Sequence, residues 1–407
     1  MSVDTVRNVP QSGSFLQNLQ RVLRKNIREY GMFIALFVIM GIFTVLTPQR
    51  SFISSRNLSN LLNQTGYIAV LAVGMTMVIV IRQIDLSVGF LAGFLGAVAA
   101  IALSRWGMSV YLVVPMVLLL GLVAGLITAF PVAQLGIPSF VASLAGWLIY
   151  RGFLQQVTEG TGTIIIKDQA FNALGNGFIP DIPNIGVLEG VHKLTLLLGI
   201  VGIVLYIFNA VNTRRKQLAY HFEVIPFDIF TLQLVFISLL IALITWILAN
   251  YQGLSWTVVI MLVVVGIYHF ISTQTVLGRH IYAVGGNPDA AELSGISVRR
   301  IIFVVFGSMG LLSALSGILF AARLTSASTT AGTLFELDAI AAAYVGGVSA
   351  AGGVGRVTGS IIGALVMTSL INGMNLMGVG ISYQYIVRGA VLAAAVIFDV
   401  YTRRTSR

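Results

Sequence analysis

The sequence predicts an all-α protein that crosses a membrane many times, with about 10–12 transmembrane helices. Composition is the first observation behind this. Hydrophobic residues make up 57% of the 407 residues and charged residues only 9%, where a soluble domain carries about 25% charged residues. The second is a mean hydropathy of +0.94. The third is the recurrence of apolar runs near the roughly 20 residues that a helix needs to cross hydrocarbon. Together they exclude an ordinary soluble domain. The balance of Lys+Arg 24 against Asp+Glu 14 leaves a net charge of +10. In a chain this apolar the excess marks cytoplasmic loops and anionic headgroups, not nucleic acid. With no cysteine, disulfides and thiolate metal sites are excluded. No cleavable signal peptide is expected, because the basic N-terminal segment runs into Met32–Leu46 without a small-residue cleavage pattern.

Residues 1–14 are polar and predicted to be disordered. Phe15, Leu16, Leu19, Val22, Leu23 and Ile27 then recur at helical spacing beside Arg21, Arg24, Lys25 and Arg28. That pattern predicts an interfacial amphipathic helix within a cytoplasmic tail of residues 1–30. Twelve apolar segments follow, at 31–47, 63–81, 87–104, 109–131, 138–154, 194–210, 231–249, 254–272, 301–320, 337–350, 357–377 and 384–401. They make one transmembrane domain over 31–401, followed by a tail at 402–407. The segment at 337–350 is short and rich in Gly, Ala and Ser, and is expected to be re-entrant or broken. Such backbone persists at membrane depth only inside protein or beside water.

Loop charges set the orientation. With the N-terminus inside and each segment crossing once, sixteen of the 24 lysines and arginines fall inside, seven outside, and Arg388 within the last segment. Both termini, the loop at 211–230 and the stretch 278–300 are then inside. The longest outer loop, about 155–193, is turn-rich and suits a cap or docking surface. The pairs Gly89/Gly93, Gly121/Gly125 and Gly359/Gly363 have the four-residue spacing that permits close helix approach.

The stretch 278–300 is polar, short and set between strongly apolar runs. Gly285, Gly286, Asn287 and Pro288 read as a turn cluster, with Asn287 as N-cap and Pro288 at the first helical position. Asp289 and Glu292 suit the first turn. Ala290, Ala291, Leu293 and Ser294 continue a helix of about two turns, and Gly295 stops it before Ile296. A helix that short needs a partner to dock against.

No active site is expected. The chain lacks GxxxxGK[ST], HExxH, GxSxG and paired histidines; Gly352-Gly353-Val354-Gly355-Arg356 is glycine-rich without the lysine of a phosphate loop. This chain is expected to bind neither cofactor nor metal. Ionisable residues near apolar runs are the remaining candidates: Asp85 with Ser87, Glu336 and Asp338, with Arg388 and Asp399 near the last segment. Asp85, Glu336 and Asp338 suit either of two roles, helix caps or contact with a permeating solute. The likeness of IDLSVG to ELDAIAA, each an acid ahead of a small-residue helix, hints at a two-part repeat.

Six motifs, in order across about 84 to 400, resemble permease subunits of bacterial sugar ABC importers of the ribose, arabinose and xylose type. They are Ile84–Gly89 (IDLSVG), Ile137–Phe140 (IPSF), Gly278-Arg279 with Ile281–Asn287 (IYAVGGN), Leu293–Ile296 (LSGI), Glu336–Ala342 (ELDAIAA) and Gly352–Gly355 (GGVG). The extended loop at 211–230 and the ending Tyr383–Ala390 (YQYIVRGA) resemble the xylose branch. The chain departs from the ribose-type pattern at Arg82-Gln83, where those relatives carry small residues.

The resemblance implies the all-helical fold of vitamin B12-type importers and a bacterial inner-membrane location. It implies pairing with a second permease copy, two ATP-binding cassette ATPase subunits on the cytoplasmic face, and an extracytoplasmic sugar-binding protein. ATP and Mg would sit on the ATPase. Residues matching 285–296 serve as the coupling helix in that family, which carries Gly285, Gly286, Asn287, Ala290, Ala291, Leu293, Gly295 and Ile296 over as ATPase-coupling residues. A proton-coupled secondary transporter is the second reading, and a non-transporting scaffold the third. The second wants acids deep in helices, whereas the acids here lie at segment edges.

Overall fold

The computed structural model describes residues 27–160, 162–183, 189–222 and 224–404. The amphipathic helix expected from Phe15 lies outside the described residues, as do 405–407. Each of the twelve apolar segments forms a helix. In chain order they begin with α1 Ile27–Leu46, α2 Ser55–Val80, α3 Val88–Ser104, α4 Val110–Leu135 and α5 Ser139–Thr158. Strand β1 Thr163–Ile165 and α6 Gln169–Asn176 follow, then α7 Lys193–Ala219, α8 Phe227–Ala249 and α9 Trp256–Gln274. Two short helices, α10 Val276–Gly286 and α11 Pro288–Leu293, precede α12 Val298–Leu324. The chain ends with β2 Ser326–Ser328, α13 Phe335–Val345, α14 Val357–Leu376 and α15 Ile381–Arg404. Among the described residues, 8 helices are long and apolar enough to cross a membrane, and α1 and α3 supply shorter apolar helices. The protein is an all-α polytopic membrane protein.

Backbone contacts divide the chain into two compact units, one of Met1–Gly31 with Pro180–Gly253 and the other of Met32–Ile179 with Leu254–Arg407. In the smaller unit α7 pairs with α8. Asp181 starts it by accepting a hydrogen bond from the Leu194 amide at 2.9 Å, a bond that holds its carboxyl below the usual carboxylate range. At the other end of the hairpin Arg214 lies over the Phe230 ring and donates to the Ile225 carbonyl at 2.5 Å. The expected loop at 211–230 is therefore mostly helical: α7 runs on to Ala219 and α8 resumes at Phe227.

In the larger unit α12 is the central post. Small residues let backbones meet: Gly310 lies on Gly121 and Gly125 of α4, and Gly317 on Ala92 and Gly96 of α3. Ser316 of α12 donates to the Tyr67 carbonyl of α2 at 2.9 Å. Helix α2 starts eight residues before the expected segment, at Ser55 in place of 63. Its first turns carry Asn57, Ser59 and Asn63, which hydropathy reads as loop. All three are buried: Asn57 faces α14, which runs antiparallel and supplies its partner, and Asn63 accepts from Ser255 just ahead of α9. Asn57 bonds Asn372 at 2.9 Å, Thr65 bonds Thr368 at 2.6 Å, and Thr76 bonds Ser360. Paired polar groups of this kind are stable in a bundle interior.

Two crossings are broken. After α2 the chain is non-helical to Ser87, with Arg82 left-handed at φ 62. This stretch climbs beside α5: the Ile84 amide donates to Ser139 Oγ at 3.0 Å, and Ser87 packs on Gly146. The second break lies between β2 and α13, where Leu334 is left-handed at φ 65. Phe335 then stacks on Tyr67, ring centres 5.2 Å apart, and Tyr67 lies midway along the 26-residue α2. The expected broken segment at 337–350 is thus an 11-residue helix starting inside the bundle. It continues away and does not turn back. Past α13 the Gly353 amide donates to the Val80 carbonyl at 2.8 Å, at the far end of α2. The chain therefore completes a crossing here.

The loop at 155–193, expected on the outer side, holds two elements that its sequence does not predict. Strand β1 pairs antiparallel with β2, Thr163 opposite Ser328. Helix α6 is capped by Asp168, whose carboxylate accepts from the Phe171 amide at 2.9 Å.

Candidate functional site

The first candidate site is the end of the larger unit where α10 and α11 project. Thr275 Oγ1 accepts from the Gly278 amide at 3.1 Å and starts α10. Gly285 and Gly286 close this helix, whereas sequence put them in a turn. Asn287 Oδ1 then accepts from the Ala290 amide at 3.1 Å, with Pro288 in the first turn, so the expected N-cap forms. Gly295 is left-handed at φ 83 and the Ile296 amide returns to the Ala291 carbonyl at 3.0 Å, a glycine stop. Ala291 is buried and anchors α11; Gly286, Asn287, Ala290 and Gly295 are exposed, and Leu293 is 91% exposed. An apolar side chain that free, on a two-turn helix capped at both ends, presents a contact face.

The base of this element is knotted into the bundle. A Cβ on Gly285 would overlap the Val80 carbonyl oxygen and crowd the Gly353 amide, so only glycine fits this approach. Arg82 Nε donates to the Gly285 carbonyl at 2.7 Å, and its guanidinium also reaches the Gly286 carbonyl. Tyr282 donates to the Gly355 carbonyl at 2.6 Å. Burial raises the Tyr282 pKa, with Arg356 acting against it, so the phenol stays a donor at neutral pH. Asp399 of α15 accepts from the Ala350 amide at 3.2 Å. Three chain segments therefore meet: the end of α2, the end of α10, and the loop between α13 and α14. Two of them lead directly to the broken crossings.

The second candidate site is where those crossings meet. The first turn of α3 lies on the start of α13: a Cβ on Gly89 would overlap the Glu336 carboxylate and crowd the Gly332 carbonyl. Gly93 lies on the Ala331 backbone in the same way. Asp85, 2% exposed, accepts from the Ser87 amide at 2.9 Å and the Ser87 hydroxyl at 2.6 Å. It ties the approach to α3 without being the residue adjacent to it. Glu336 and Asp338 lie in the first turn of α13 and neither is its N-cap residue; that position is Leu334, which has no side-chain bond. Glu336 Oε1 accepts from Trp147 Nε1 at 3.2 Å and its Oε2 is buried without a partner. Asp338 Oδ2 lies 3.4 Å from Arg388 Nη1 of α15.

The structure thus gathers Asp85, Ser87, Glu336 and Asp338 around adjoining helix starts, and gathers Gly285 to Ile296 at the projecting end. The acids do lie at segment edges in sequence, but those edges are inside the bundle. Arg82, Tyr282 and Trp147 are residues that sequence reasoning did not assign to either site. Arg82 carries one sequence signal, its departure from the expected ribose-type pattern.

Comparison with known proteins follows this geometry. The family model for the permease component of branched-chain amino acid transport systems matches residues 57–396. A xylose transport system permease protein of Haemophilus influenzae is 40% identical over 379 residues, covering 93% of this chain and 98% of the relative. The xylose transport system permease protein of Escherichia coli K12 is 37% identical, covering 98% of this chain and 97% of the relative. A ribose import permease protein of Haemophilus influenzae is 34% identical over 92% of this chain and 93% of the relative. No solved structure matches. Nearly full-length identity at this level, together with a family match over most of the chain, leaves one assignment: the chain belongs to this family of transport-system permease components.

Proposed function

We propose that this chain is the membrane-spanning subunit of a bacterial ATP-binding cassette importer that carries a monosaccharide, xylose or several sugars, across the inner membrane. The observation that carries it is the knot of Arg82, Gly285 and Gly353. It ties a projecting capped helix to the two chain segments that lead into the bundle interior. A push on Leu293 and its neighbours is then felt at Asp85 and Glu336. A ligand that binds two states unequally shifts their populations, and a docked ATPase would act in that way here. The near full-length likeness to xylose and ribose permeases supports the sugar class.

In this reading residues 31–401 form one permease domain with both termini and the 278–300 loop cytoplasmic. Two ATPase subunits dock there and hold the ATP and Mg, so this chain does no hydrolysis. A second permease copy completes the membrane part, and an extracytoplasmic binding protein delivers the sugar. The test is uptake of labelled xylose into proteoliposomes holding this chain, its ATPase and its binding protein, with glucose, galactose, arabinose and ribose as competitors. Uptake that needs both ATP and the binding protein is expected.

One observation favours a second reading. Glu336 and Asp338 are buried acids inside the bundle, as proton-coupled carriers require. Uptake driven by a proton gradient without ATP would establish that reading instead.

A further inference from the structure

We propose that the cleft between α13, α14 and α15 holds the solute in transit, and that it is built for a neutral polyhydroxylated molecule and not for an amino acid. This rests on the importer reading above and names where in the chain the solute sits. The cleft has a volume of about 350 Å³ and is lined in part by Thr333, Leu337, Asp338, Met367, Tyr385 and Arg388. Small-molecule sites begin at about that size.

Asp338 is 4% exposed and pairs with Arg388 at 3.4 Å. Charged groups inside a membrane protein face the bundle interior or water, since lipid solvates neither. The cleft therefore opens to water or to protein. Arg388 Nε is buried with no hydrogen-bond partner, an orphan donor that costs stability unless something accepts from it. The Arg388 side chain as a whole is still 17% exposed and that of Asp338 5%, so a sugar hydroxyl can accept from the outer guanidinium nitrogens while donating to the carboxylate, and the ion pair stays intact. The hydroxyls of Thr333 and Tyr385 add groups that donate or accept. Leu337 and the Tyr385 ring offer an apolar surface to the C–H face of a sugar ring. An amino acid brings a carboxylate and an ammonium, each wanting an unpaired opposite charge. Here the two charges already neutralise one another, so a zwitterion would have to break the pair.

The chain contains no cysteine, which permits a direct test. Thr333→Cys, and separately Leu337→Cys, are placed in the full chain and assembled with ATPase and binding protein in proteoliposomes. Labelling by a water-soluble thiol reagent is followed with xylose, with valine, and with neither. Both positions are expected to label, and turnover with xylose to slow labelling while valine does not. No labelling, equal rates under all three conditions, or protection by valine overturns the proposal. Wild-type vesicles run in parallel separate the two layers. ATP-dependent xylose uptake without protection sinks the cleft alone, and absence of uptake for every sugar sinks the importer reading with it. A second measurement does not depend on the cysteines. The exchanged pair Asp338→Arg with Arg388→Asp keeps the cleft neutral and is expected to lower uptake about tenfold, the worth of one charge-assisted hydrogen bond. Wild-type uptake by the exchanged pair would reduce Asp338 and Arg388 to a structural bridge and overturn the proposal.

Discussion

The starts of α3 and α13 are alike in sequence and unlike in bonding. Each follows a non-helical stretch, each has an acid ahead of or within a run of small residues, and each break contains a left-handed residue that is not glycine, Arg82 in one and Leu334 in the other. That conformation costs about 1–2 kcal/mol per residue and concentrates where structure stores strain for function. The acids differ. Asp85 is satisfied by Ser87, two residues on. Glu336 and Asp338 depend on Trp147 and Arg388, from other helices, and Glu336 keeps an oxygen without a partner. The first start is closed by local chemistry; the second is completed only by tertiary neighbours and leaves bonding capacity over. The difference fits the roles proposed above, with Asp85 holding the break and Glu336 and Asp338 facing the solute.

The largest expected effect probes the second start. Arg388→Ala leaves the Asp338 carboxylate without its partner in the bundle, which costs about 3–5 kcal/mol. Thermal unfolding of the purified complex should shift down clearly, and an unchanged midpoint would show that the two charges do not depend on each other. Next comes Arg82→Lys. Lysine offers a point charge where arginine offers a fork across the Gly285 and Gly286 carbonyls. Hydrolysis of ATP by the assembled complex is expected to persist while uptake per ATP falls about tenfold; a constant ratio would remove Arg82 from the coupling route.

Two smaller effects sharpen the contrast between the acids. Glu336→Gln keeps shape and the acceptor for Trp147 but removes the charge. Uptake should fall, with stability changed by less than about 1 kcal/mol, and a loss confined to stability would make Glu336 structural like Asp85. For the first start the reverse holds. Asp85→Asn weakens one acceptor and Ser87→Ala removes one donor, each at about 1–2 kcal/mol. Because they share one bond, the double variant should cost less than the sum of the singles. Additive costs would separate the two residues and break the comparison.

The fate of particular residues shows how far the sequence could be read. Helix α11 was legible in full, because its determinants are local: Asn287 caps, Pro288 starts and Gly295 stops, all within nine residues. Most of the twelve segments were legible because hydrocarbon thickness sets a minimum length for a full helical crossing, and the one at 337–350 stood out by falling short of it. The start of α2 was not, since Asn57 and Asn63 read as loop until Asn372 and Ser255 supply their partners. Local signals make Gly285 a turn residue and cannot report that Val80 and Gly353 crowd it.

By itself, then, the sequence determined what solvent and local geometry enforce: an all-helical membrane chain, the positions of its crossings, and one short capped helix in need of a partner. Tertiary structure decided what depends on approach between distant segments. It placed the edges bearing Asp85 and Glu336 inside the bundle, made Arg82 a clamp, and paired Asp338 with Arg388. The physical reason is that a buried polar group is fixed by the partner that satisfies it. For Asp85 that partner is two residues away, while for Asp338 it lies fifty positions further along the chain.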